Sequence, residues 1–109
     1  MSKIIISNEA IESIIVNAVT GVEGVLGTWK GAEEYVPYLK VDSKGSHGIE
    51  FSIDDSVLTA TVFLIAKYGV NLRELGKEVQ REVKSQIESI TPFTVSDVNV
   101  IVEDIKDEG

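Results

Sequence analysis

Tyr68-Gly-Val-Asn-Leu-Arg-Glu-Leu-Gly-Lys-Glu-Val79 decides the fold, because it turns a strand into an amphipathic helix. Upstream, Val57 to Ala66 carries no charge and is rich in the β-branched and aromatic types that suit extended backbone. Downstream, Leu72, Leu75, Gly76, Val79, Val83, Ile87 and Ile90 recur at three- and four-residue spacing, one face of a helix. Asn71 with Glu74 three residues on reads as a capping box that starts this helix. The helix is predicted over about Leu72 to Ile90, and Thr91-Pro92 ends it.

Working outward, Ile49, Phe51 and Ile53 alternate with Glu50 and Ser52, a half-buried strand. Asp54-Asp55-Ser56 supplies the turn that returns it to the strand Val57 to Lys67. On the other side, Val98, Val100 and Val102 alternate with Asp97, Asn99 and Ile101 in a last strand, followed by an acidic tail (103–109) that is expected to fray. Nearer the start, Lys3 to Ile6 reads as a short first strand. Ser7 caps a helix over about Asn8 to Thr20, whose apolar face is marked by Ile11, Ile14, Ile15, Ala18, Val19 and Val22. Gly21 to Gly27 is glycine-punctuated and apolar, the start of a further strand. Between 28 and 47 the periodicity is lost, and a long irregular loop is predicted. The expected fold is a single α+β domain over 1–109, a two-layer sandwich in β-α-β-β-α-β order. Its sheet is mainly antiparallel with both helices on one face, a ferredoxin-like arrangement.

Composition limits the chemistry. The chain has 109 residues, 43% of them apolar, enough for one core without staples. It has no cysteine, which removes thiolate catalysis and cysteine-bound metal and suits a reducing compartment. Ten basic residues against 18 acidic ones give a net charge of −8, a field that opposes nucleic acid and anionic bilayers. No apolar run is long enough for a signal peptide or a membrane span, so a cytoplasmic chain is expected, reaching the membrane only through a partner.

No catalytic constellation stands out. His47 is the single histidine and lies in a Gly/Ser-rich stretch without a positioned partner. Asp54-Asp55 lacks the alternate carboxylate spacing of a calcium loop and reads as a turn. Gly21 to Gly27 lacks the lysine of a phosphate loop. No catalytic, cofactor-binding or metal-ligating residue is assigned, and no enzyme activity or cofactor is expected.

The strand Val57 to Lys67 is the least bland element. Leu58, Ala60, Val62, Leu64 and Ala66 form its core face; Val57, Thr59, Thr61, Phe63 and Ile65 form the other. In a two-layer fold Phe63 and Ile65 meet water unless the loop bearing Trp29, Tyr35 and Tyr38 covers them, or a second subunit does. Phe63, Ile65, Trp29 and Tyr38 are therefore the candidate interaction surface, and a homo-oligomer is predicted. On that reading Phe63→Asp leaves the fold intact and yields monomer. Arg73, Lys77 and Arg81, a basic stripe interleaved with Glu74, Glu78 and Glu82, are a candidate polar rim.

Several blocks carry a resemblance. Ile-Ser-Asn-Glu-Ala-Ile-Glu-Ser-Ile (6–14), Val-Glu-Gly-Val (22–25), Lys-Tyr-Gly-Val-Asn-Leu (67–72), Val-Gln-Arg-Glu-Val-Lys (79–84) and Val-Ser-Asp-Val-Asn-Val (95–100) closely resemble the alkaline shock protein (Gls-type) family of Gram-positive bacteria. The resemblance implies a small, cytoplasmic, non-catalytic protein connected with envelope stress. It implies self-association, and an integral membrane protein as anchor. Other members are linked with fatty-acid synthesis, which makes an accessory role beside a carboxylase subunit the alternative. Many relatives carry basic or low-complexity extensions; this chain shows neither, so a minimal core version is expected.

Overall fold

The computed structural model describes residues 2–29 and 48–107. Its elements run α1 (Asn8–Thr20), β1 (Val25–Thr28), β2 (Ile49–Asp54), β3 (Val57–Lys67), α2 (Leu72–Ile90) and β4 (Thr94–Lys106). Both helices start where their caps predict. Ser7 Oγ accepts from the Ala10 N–H at 3.1 Å, and Asn71 Oδ1 from the Glu74 N–H at 3.0 Å, each satisfying a donor that a helix start leaves open. At the far end of α2, Thr91 turns its hydroxyl back onto the Ile87 carbonyl at 2.7 Å and accepts from the Phe93 N–H.

β3 is the middle of the sheet. β2 pairs with it antiparallel from Ile49↔Val62 to Asp54↔Val57, through a two-residue hairpin in which Asp55 and Ser56 both have positive φ. That is the geometry that suits the twist of paired strands. β1 pairs with the remaining end of the same edge, Thr28 facing Leu64. β4 runs parallel along the other edge of β3, from Val57↔Thr94 to Lys67↔Lys106, with two bulges. Parallel neighbours need a long crossover, and α2 is that crossover.

Both helices lie on one face of the sheet, as the sequence predicts. Ile11, Ile15, Ala18 and Val19 of α1 and Leu75, Val79, Val83 and Ile87 of α2 close onto Ile49, Leu58, Ala60, Val62, Leu64, Ala66, Val95 and Val98. This one cluster holds the layers together, each fully buried aliphatic side chain contributing roughly 1.5–3 kcal/mol.

Three details differ from the sequence reading. Lys3 to Ile6 is not a strand: β4 takes the place beside β3 that a first strand needs, and Ile4 and Ile5 stand in water. The segment 103–106 does not fray but continues β4, because β3 extends to Lys67 and offers it partners. Thr28, expected in the loop, closes β1; residues 30–47 lie outside the described residues, Tyr38 and His47 with them.

Candidate interaction surface

Alternation along β3 fixes what the sheet presents on the side away from the helices. Thr59, Thr61, Phe63 and Ile65 point there, flanked in register by Asp97, Asn99, Ile101 and Asp104 of β4. The face divides into two halves. Toward the β2–β3 turn it is polar: the Thr59 and Ser96 hydroxyls bond at 3.0 Å, and Asn99 Nδ2 donates to Thr61 Oγ1 at 3.4 Å. Toward the far end Phe63, Ile65 and Ile101 are apolar, with Asp104 beside Ile65 at the margin.

Trp29 and Phe63, two of the residues singled out from sequence, meet at the seam between β1 and β2. The Trp29 N–H donates to the Phe63 carbonyl at 2.7 Å, and the Phe63 N–H donates to the Gly48 carbonyl at 2.9 Å. One residue thus joins the end of β1 to the start of β2. Phe63 is only 7% exposed within the single chain, so its ring is core rather than free contact surface. Its replacement by Asp therefore places a carboxylate in a buried site, and the expectation that such a variant keeps its fold is corrected. Ile65 and Trp29 are half-buried. Ile101 is 39% exposed in the position paired with Phe63, and the sequence reading passed over it as one more alternating residue.

Arg73, Lys77 and Arg81 are exposed on α2. They sit on the side of that helix opposite Leu75, Val79 and Val83, hence on the outer surface of the helix layer. They cannot rim a surface on the far side of the sheet; the rim assignment is corrected, since two layers separate the two groups. The charge pairing expected on this stripe is present in the ion pair between Arg81 and Glu78.

The end of α1 and the first turns of α2 enclose an open groove of about 610 Å³, lined by Val22, Glu23, Glu74, Glu78 and Glu82 among others. Among the described residues no group of His, Asp and Glu side chains is arranged to hold a metal ion. Farther along α2, Glu88 Oε2 accepts from the Val95 N–H at 2.9 Å and from Lys84 Nζ at 3.0 Å, and Lys84 Nζ also donates to the Val95 carbonyl at 3.2 Å. The backbone hydrogen bond first, and the lysine second, hold the Glu88 carboxyl below its ordinary pKa. These contacts fasten the last turns of α2 to the start of β4. No helix among the described residues is long and apolar enough to cross a membrane.

The model of the alkaline shock protein 23 family, of cell envelope-related function, matches residues 1–107. The chain is similar to Spy1614, an uncharacterized protein of Streptococcus pyogenes serotype M6, at 27% identity over 95% of this chain and 88% of that protein. Among solved structures it is similar to the copper form of the MamM CTD, with a TM-score of 0.64 and 17% identity over 94% of this chain and 89% of the other. A manganese form of a MamM CTD variant gives a TM-score of 0.62 and 16% identity over 90% and 99%. At these identities the likeness is one of fold.

Proposed function

The chain belongs to the alkaline shock protein 23 family, whose function is cell envelope-related, and from that premise we propose a non-enzymatic protein of envelope stress response or envelope homeostasis in Gram-positive bacteria, of the Gls type. It works through protein–protein contacts and self-association in the cytoplasm, next to the membrane, where an integral membrane protein holds it. The family match over residues 1–107 carries this reading. The half-exposed apolar end of the sheet face supports it, as does a net charge of −8, which disfavours direct adsorption to anionic lipid.

The test is affinity capture of the intact chain from a lysate of its own host in mild detergent, with mass spectrometry. Recovery of an envelope membrane protein together with further copies of the chain is the expected result. Recovery of neither, with no change in abundance under envelope stress, overturns the reading. Recovery of carboxylase subunits instead replaces it with an accessory role in fatty-acid synthesis.

A further inference from the structure

The most exposed large apolar side chains among the described residues are Ile4 and Ile5, at 93% and 86%. They stand between Lys3 and Ile6, and Ile6 packs against the core where α1 begins. A run of β-branched residues favours extended backbone, yet this segment pairs with nothing in the sheet.

The sheet has a matching vacancy in its hydrogen bonding. β3 takes one edge of β4, and no described strand takes the other. α2 covers the first part of that outer edge: Lys84 and Glu88 engage the carbonyl and N–H of Val95, and Gln80 Nε2 donates to the Val98 carbonyl at 3.1 Å. Backbone groups alternate between the two sides of a strand, so Val100 and Val102 turn theirs to the same outer side as Val98. Among the described residues no hydrogen bond reaches them there. Half-buried Val100 and Val102 and exposed Ile101 and Ile105 line this stretch. An unpaired edge of this kind is a template for an added strand.

The segment cannot reach its own β4. Only Ile6 and Ser7 separate residues 2–5 from α1, Ile6 is held on the core, and α1 packs on α2, β1 and β2, while α2 stands between α1 and β4. The edge needs a second copy.

We infer that residues 2–5 of one copy add as an antiparallel strand to the outer edge of β4 in another. Ile5 lies opposite Ile101 on the open face, Ile4 opposite Val102 on the helix side, and Lys3 beside the bulge at Glu103 and Asp104. Charge sets the direction, because a parallel strand carries Lys3 away from those carboxylates and toward Asn99. The contact is head-to-tail: each copy gives a segment and receives one, so addition continues until a ring closes or a filament grows. This rests on the self-association proposed above and names the surface that performs it.

The absence of cysteine from the chain makes the test direct. Facing residues of antiparallel strands bring their Cα atoms to about 4.5–5.5 Å, within disulfide reach. Full-length Ile5→Cys and Ile101→Cys variants, mixed and gently oxidised, are expected to give at least several-fold more covalent dimer than either alone. Ile4→Lys combined with Ile5→Lys is expected to sediment as monomer with an unchanged melting temperature. A mixture that links no better than the single variants overturns the inference, and so does a double-lysine variant that stays assembled. Wild type that sediments as monomer at all concentrations overturns self-association as well, whereas assembled wild type without the Ile5–Ile101 link overturns the strand addition alone.

Discussion

A methyl group placed on Gly48 collides with the carbonyl oxygen of Trp29, far inside any tolerable contact. It also meets the Phe63 carbonyl at 3.0 Å, and the residue has φ +73°, where side chains are strained. Gly69 has φ +98° with nothing near its missing Cβ. The two sites separate strain from collision. Gly69→Ala is expected to lower unfolding free energy by about 1–2 kcal/mol, the left-handed penalty alone. Gly48→Ala is expected to cost more than about 3 kcal/mol, outside the usual range for one substitution. Urea unfolding of both variants checks this; equal losses contradict it.

Gly76 lies inside α2, and beyond its chain neighbours and the helix's own backbone nothing comes within 4 Å of its missing Cβ. Gly76→Ala is expected to stabilise the chain by about 0.5–1 kcal/mol, because alanine loses less backbone freedom in a helix. Thermal unfolding reads the sign directly, and a lower midpoint contradicts the open space seen around the residue.

Phe63→Asp is expected to destabilise the fold by at least about 3 kcal/mol, since it removes a buried ring and leaves a carboxylate in its place. Ile101→Thr, on the exposed side of the next strand, is expected to cost under about 1 kcal/mol. The comparison is made on urea midpoints. A folded, undiminished Phe63→Asp returns that ring to the list of free contact groups.

Glu88 ties α2 to β4 more strongly as a carboxylate than as a neutral acid. Its pKa is depressed in the folded chain, so its contribution is present above the unfolded value and is lost as pH falls through the lower folded value. Glu88→Gln is expected to be less stable than wild type at neutral pH. The gap closes below the ordinary glutamate range, where wild type is protonated too. A gap that persists unchanged into acid contradicts this origin.

Local chemistry made much of the fold legible in the sequence. Ser7, Asn71 and the 3.6-residue rows fix both helices, and Asp55-Ser56 fixes a hairpin, since each signal lies within a few residues of its effect. What escaped depends on distant pairing. Nothing in Lys3 to Ile6 reveals that β4 fills the edge of β3 that β1 and β2 leave, so its strand-like composition misleads. The separation of Arg73, Lys77 and Arg81 from the sheet's open face comes from layer geometry, and the burial of Phe63 is not given by alternation, which places it on the face away from the helices. The signal for Ile4 and Ile5 was present: apolar residues so close before a cap as definite as Ser7 have little chain with which to turn back onto their own core.

The seam at Phe63 makes the sheet a socket. Trp29 and Gly48 occupy neighbouring rungs on one edge of β3, so the chain between them leaves and returns at a closed gate whatever its length. Doubling such an insertion adds only about 0.6 kcal/mol of closure entropy. The register of β1 and β2 is set on either side of the gate by β3, not by what passes through it. A segment of different length can therefore be exchanged there at small entropic cost while β3 keeps the register of the strands on either side.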